Sequence, residues 1–320
     1  MEIHGIIVHK IEKAQREKGK PNPLAVISPR NDVLDHKNPL VVELANYIWK
    51  SYRKGKTFGS FDEDIPNHPT QTWINDYLDD SQAHPFIALT LTIMKRLKIM
   101  LEAKNFSTGG HVLFLHLTEN NTPWFMVVMI KDKKGFIFTE DLDLKDVVGL
   151  ELDKLHQAVR IDITRWRTDN EKAYLSFIKA GSGDVADYFL KTFGCTDSVP
   201  SKIATKAVLS VVEVVCSTAN LNRTKTRAVK NSICDYMEQH ISGVTLAEIE
   251  TQLDAYIDKE YWNMFTDLAN SEEYRISDNF DPNRQVLVAH RHIKIDTAHW
   301  KLSIDKGALG TPDSDAEVIF

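Results

Sequence analysis

The stretch that most restricts the fold is residues 158–195. Val159, Ile161 and Ile163 alternate with Arg160, Asp162 and Thr164. That period of two predicts a strand with one buried face. Arg167, Thr168, Asp169 and Asn170 follow as a polar turn. Tyr174 to Ile178 is a second short strand-like run, rich in aromatic and branched residues. Gly181-Ser182-Gly183 interrupts it, and Asp184 is placed to cap a helix by accepting N–H groups of its first turn. Val185, Tyr188, Phe189 and Phe193 give that helix one apolar face. Gly194 suits the left-handed residue that ends it. The unit reads as strand, turn, strand, glycine loop and helix, which commits the chain to mixing α and β.

The glycine loop reads as an ordinary connecting turn rather than a phosphate cradle. It lacks the Walker lysine and the full G-x-G-x-x-G spacing. Asp184 also places a negative charge where the phosphate would sit.

Before this unit the chain predicts strands over residues 2–13 and 24–28, separated by a polar loop with two prolines. Pro39 opens a helix carrying Leu40, Val41, Leu44, Ile48 and Tyr52 at helical spacing, and residues 53–60 end it with glycine and clustered bases. Residues 61–72 are acidic and proline-containing, and read as loop. Phe86, Leu89, Ile93, Leu97 and Met100 mark a second helix. His111–Leu117 and Trp124–Lys131 are apolar strands joined by a hairpin-like connection, and Phe136–Phe138 is a third. An antiparallel sheet with packed helices is expected here.

After the unit, residues 199–219 carry Ile203, Val208, Val211, Val212, Val214 and Val215 on several faces. They predict a helix buried in its own domain or at a subunit interface. Another helix begins near Asn222, and Thr245 with Glu248 forms a capping box for a third. The tail from Gln285 to Ile304 alternates and reads as a terminal hairpin, and residues 310–320 as a loosely held acidic end. The fold class expected is α+β. Residues 1–155 would form an N-terminal domain of antiparallel sheet and packed helices. Residues 156–320 would form a C-terminal domain mixing helices, concentrated in 199–268, with a β-hairpin.

Parts of the chain resemble the bacterial nucleoid-associated protein family of the NdpA (YejK) type. The carrying residues are Val159–Ile163, Trp166, Tyr174–Lys179, Val185–Phe189 and Phe193-Gly194-Cys195. Gly110–Phe114 is similar to the family's central glycine-led strand, and Ile3–His9 to its amino-terminal strand. The resemblance implies a bacterial protein that associates with DNA in the nucleoid. It brings no catalytic motif.

The net charge of −6 is not the footprint of a protein that coats DNA through Lys and Arg. A local patch must therefore supply the contacts, because salt confines exposed charges to about 8–10 Å of reach. Residues 202–230 hold Lys202, Lys206, Arg223, Lys225, Arg227 and Lys230 against one acid, Glu213. Arg223, Arg227 and Lys230 are spaced i, i+4 and i+7 on one helix face. They would contact phosphates of double-stranded DNA without reading sequence, with Lys202, Lys206 and Lys225 in support. The plain alternative is a solvated helix face. A second patch, Lys50, Arg53, Lys54 and Lys56, is interleaved with Tyr52 and Phe58. Aromatics among bases can stack on nucleotides, but Tyr52 equally completes the core stripe of its helix.

Metal and catalytic constellations are weak. His290-x-His292 on a strand would place two rings on one face, with His299 across a hairpin, yet no fourth ligand follows. His111 and His116 fall on opposite strand faces. Asp62/Asp64, Asp79/Asp80 and Asp184/Asp187 invite a nuclease reading that lacks the convergent acids and positioned lysine such enzymes use. Three cysteines, Cys195, Cys216 and Cys234, suggest neither a metal site nor a disulfide framework and fit a reducing cytoplasm. No apolar run approaches the roughly 18 residues of a membrane span, and no signal peptide is evident. The expectation is a non-catalytic, largely sequence-independent DNA-binding protein of the cytoplasmic nucleoid, a homodimer through the 199–219 helix, with no cofactor, metal or membrane. The rivals are an adaptor for a protein partner that acts on DNA, and a metal-dependent nuclease.

Overall fold

Two contiguous stretches of chain fold as separate units, residues 1–198 and 199–320, in the computed structural model. The structure describes residues 1–15, 17, 21–52, 56–62, 67–104, 108–153, 155, 157–168, 173–178, 187–196, 201–296, 301–305, 309–310 and 318–319; for Asp187 and from residue 291 on it describes the backbone alone. The fold is α+β.

The first unit runs β1 (Glu2–Lys13), β2 (Ala25–Ser28), α1 (Pro39–Ser51), β3 (Lys56–Phe61), α2 (Thr70–Asp79), α3 (Phe86–Glu102), β4 (Gly109–Glu119), β5 (Thr122–Ile130), β6 (Asp132–Phe138), β7 (Leu144–Leu150), β8 (Gln157–Asp162), α4 (Ile163–Thr168), β9 (Leu175–Ile178), α5 (Asp187–Phe193) and β10 (Cys195–Thr196). Eight strands make one antiparallel sheet in the order β10-β3-β9-β8-β5-β4-β1-β2. Helices cover both faces. On one, Ile7, Phe114, Val127, Val159 and Phe177 pack with Ile74 of α2, Leu97 of α3 and Phe193 of α5. On the other, Ile6, Leu115, Met126 and Ala158 pack with Ala45, Ile48 and Tyr52 of α1.

This two-sided cover corrects the reading of β8. Its polar positions do not face water: Arg160 and Asp162 are buried along with Val159 and Ile161. The strand stops at Asp162 because that carboxylate accepts the Arg165 N–H at 3.0 Å, so Ile163 starts α4 rather than continuing the strand. The loop expected over 61–72 is shorter, since β3 reaches Phe61 and α2 starts at Thr70. Gly181-Ser182-Gly183 and Asp184 lie outside the described residues. Two positions show why glycine is needed. At Gly109 (φ +91°) a Cβ would sit 2.1 Å from the Ile11 carbonyl oxygen, and at Gly194 (φ +63°) 2.5 Å from the His68 Cβ.

The boundary expected at 155 falls inside the sheet, because β8 pairs with β5 and β9 with β3. Long-range pairing ties 156–178 to the N-terminal strands, and the observed division comes at 198. β6 and β7 form a two-stranded ribbon of their own that grows out of the β5–β8 pair.

The second unit contains α6 (Ser201–Thr218), α7 (Arg223–Gln239), β11 (Val244–Thr245), α8 (Leu246–Asp254), a 3-10 turn at Lys259–Tyr261, α9 (Met264–Ala269), β12 (Asn279–Phe280), α10 (Arg284–Arg291), β13 (His292–Asp296), β14 (Lys301–Asp305), β15 (Leu309–Gly310) and β16 (Val318–Ile319). Val208, Val211, Val212 and Val215 of α6 are fully buried among α7, α8, α9 and α10 residues such as Ile233, Leu253, Phe265 and Leu287. Four of the residues that motivated self-association through this helix are thus covered by their own unit, whereas Ile203 and Val214 are exposed. Caps fix the helix starts. Asn222 accepts the Lys225 N–H, Thr245 and Glu248 form the reciprocal capping box, and the buried Glu250 carboxylate accepts the N–H groups of Phe265 and Thr266 at the start of α9. The tail is not one hairpin: Arg284–Arg291 is helical, and only β13 and β14 pair as expected.

Candidate nucleic-acid interface

On α6, Lys202, Lys206, Ser210 and Glu213 recur every three or four residues and share one side of the helix. On α7, Arg223, Arg227 and Lys230 do the same. Helix α10 packs on both. Between the three helices lies an open groove of about 620 Å³, with Lys202, Lys206 and Lys230 on its walls and Leu209, Val286 and Ala289 supplying apolar surface. An adjoining depression of about 390 Å³ is lined by Arg223, Arg227 and Asn231, and shares Glu213, Lys230 and His290 with the first. The two therefore form one continuous surface feature. It carries five cations against the single carboxylate of Glu213.

The charges are not equivalent. Lys202, Lys206, Arg223 and Arg227 are exposed. Lys230 is largely buried, with its ammonium 2.7 Å from Glu213 Oε2. That hydrogen bond and charge hold the Glu213 carboxyl below its ordinary value. Lys230 thus joins α6 to α7, and its charge is partly neutralised. Lys225 lines neither depression, because two residues on from Arg223 is about 200° around a helix.

The second patch is dispersed. Lys50 is exposed in the last turn of α1, where a cation favours the helix dipole. Arg53 and Lys54 lie outside the described residues. Lys56 is only 4% exposed, its ammonium 5.3 Å from the Phe58 ring centroid. Tyr52 and Phe58 are core residues, and the Tyr52 hydroxyl donates to Ser176 Oγ at 3.2 Å. Neither ring is presented for stacking on a base.

The histidine reading needs correction. His290 ends up on α10 and His292 begins β13, so they do not share a strand face; His299 lies outside the described residues. Of the paired acids, Asp79 bonds Arg167 at 2.7 Å, and Asp80 accepts the N–H groups of Gln82 and Ala83. Asp64 and Asp184 lie outside the described residues. Among the described residues no group of three or more His, Cys, Asp or Glu is placed to hold a metal ion. The three cysteines are free.

Gln285 and His290 also line the groove, which the alternation over 285–304 hides because it points to a strand where α10 forms. The Glu213–Lys230 pair is hidden too, since its signal is tertiary: the two residues are 17 apart and meet only because α6 and α7 are neighbours.

Comparison with known proteins covers nearly the whole chain. The sequence matches the family described as "Nucleoid-associated protein YejK" over residues 7–320. It is 29% identical over 317 residues to a nucleoid-associated protein of Metapseudomonas resinovorans, covering 97% of this chain and 92% of that one. It is 29% identical over 316 residues to one of Azotobacter vinelandii, covering 97% and 91%. It is 28% identical over 317 residues to one of Pseudomonas savastanoi pv. phaseolicola, covering 97% and 92%.

Proposed function

The chain belongs to the nucleoid-associated protein YejK family, and from that premise we propose that it binds double-stranded DNA along the α6–α7–α10 groove without catalysing a reaction. The observation that carries this reading is the placing of Lys202 and Lys206 along one depression and of Arg223 and Arg227 along the one that adjoins it, in a chain whose net charge is −6. Exposed cations on two helix faces suit contacts to backbone phosphates, which position a duplex without reading its sequence. Binding is therefore largely independent of sequence. It works at the nucleoid in the cytoplasm and invokes no cofactor. Among the described residues no helix is long and apolar enough to cross a membrane.

A DNA titration at several salt concentrations tests this. Each phosphate contact contributes a slope of about −0.9 in log K against log salt. The wild type should show a slope near −3 to −4, at four contacts. The quadruple change Lys202→Ala, Lys206→Ala, Arg223→Ala, Arg227→Ala should remove most of it. A quadruple variant with wild-type affinity and slope would refute the groove.

A second reading is favoured by the acidic balance of the chain and the apolar surface from Leu209, Val286 and Ala289. The groove would then hold an acidic segment of a protein that itself acts on DNA. Wild-type protein that hardly binds DNA at low salt would move the assignment to this adaptor role. The nuclease reading has lost Asp79 and Asp80 to local bonding. Plasmid that stays intact with Mg²⁺ or Mn²⁺ is the expected result.

A further inference from the structure

The β6–β7 ribbon carries large apolar side chains on a face that its own chain leaves open. In the observed register Phe136 opposes Asp146, Phe138 opposes Leu144, Lys134 opposes Val148, and Asp132 opposes Leu150. Cross-strand partners point the same way and alternate residues share a face. One face therefore gathers Phe136, Phe138, Leu144, Val148 and Leu150, which are 41–74% exposed. The opposite face carries Lys133, Gly135, Ile137, Lys145, Val147 and Gly149.

A lone two-stranded ribbon is marginal in water, and leaving its more apolar side wet adds to that cost. We propose that this face packs on the same face of a second copy of the chain, related by a two-fold axis, and so makes the protein a dimer. The area agrees. At roughly 150–200 Å² per large apolar side chain, the five expose about 500 Å². Two copies then bury on the order of 1,000 Å² before polar and backbone atoms are counted, where specific interfaces begin. The charges agree as well. The face carries Lys134 and Asp146 two residue pairs apart along the ribbon, and its third charge, Asp132, is engaged by His111 at 2.9 Å, so a two-fold stacking sets the lysine of each copy against Asp146 of the other. DNA does not fit this face, since Glu140, Asp141 and Asp143 crowd the ribbon's tip and repel phosphate.

Sedimentation velocity on the full chain at micromolar concentration tests the proposal independently of DNA binding. The wild type should be a dimer. The triple change Phe136→Ser, Phe138→Ser, Leu144→Ser should weaken it at least about 100-fold while thermal unfolding is retained, because three large side chains lose their burial. Lys134→Glu and Asp146→Lys should each weaken self-association, and mixing those two variants should restore a heterodimer. A wild type that stays monomeric overturns the proposal and leaves the ribbon to a partner of another sequence. A dimer that survives the triple change also overturns it, as does a mixture that fails to recover.

Discussion

Lys230 on α7 meets Glu213 on α6 at 2.7 Å, where the two depressions of the basic groove join. The pair links two helices and also supplies the groove's one carboxylate. Glu213 is 65% exposed, so water screens the pair, and its contribution to folding is below about 1 kcal/mol. Its carboxyl is held down in the fold, so that contribution is present at neutral pH and fades as pH falls through the lowered value.

Glu213→Gln should accordingly cost the fold little and help DNA. It removes one negative charge and releases one ammonium. The salt slope should steepen by about one unit and affinity at low salt should rise several-fold. Fluorescence anisotropy with a short duplex at graded salt measures both. A drop in affinity would mean that the bridge shapes the groove more than it discharges it.

Lys225→Ala provides the matched control. It removes a cation from the same helix, two residues from Arg223, without touching the groove. DNA affinity should change less than about twofold and the slope not at all, against the loss of about one unit for Arg227→Ala. Equal effects of the two changes would show that net charge, rather than the groove, governs binding.

Arg160 is the charged anchor of the first unit's core. Its guanidinium carbon lies 4.6 Å from the ring centroids of Trp49, Tyr52 and Trp124. A desolvated cation on an aromatic face gains up to about 2 kcal/mol. Arg160→Ala also opens a void, so a loss of about 3 kcal/mol is expected in urea unfolding. Arg160→Lys should recover only part of it, because a point charge cannot lie flat against three rings. Full recovery by lysine would reduce the cage to simple charge.

His116 gives the fold an acid-sensitive spot. Burial first, and His4 beside it, push its pKa down to about 4; its Nδ1 is 2.8 Å from the Tyr77 hydroxyl. The unfolded chain takes up the proton near 6.5, before the folded one does. Stability should therefore fall as pH drops from about 6.5 towards 4, by at most about 3 kcal/mol. His116→Gln should flatten that segment of a stability–pH curve. An unchanged curve would assign the acid response to other groups.

Local chemistry was legible in the sequence. The β4–β5 turn uses Asn120 and Asn121 at φ 49° and 62°, as a two-residue hairpin requires. Asn38 with Pro39 opens α1, and Thr245 with Glu248 opens α8. Pairing at a distance was not legible. Nothing near Lys56 announces that it lies opposite Ile178, so the local sequence shows only a helix end there and hides the tie between 156–178 and the N-terminal strands. The same limit applied to the groove: helical spacing put Arg223 and Arg227 on one face, but only the packing of α10 on α6 and α7 brought Lys202 and Lys206 to them.

The main sheet ends in β2 and β10, strands of four and two residues. A neighbour's strand docking on β2 or β10 finds few backbone partners, and short edge strands are one means by which natural proteins avoid edge-to-edge aggregation. At high local concentration an open sheet edge becomes a hazard. Blunt edges let this chain be packed densely without seeding fibres from its sheet.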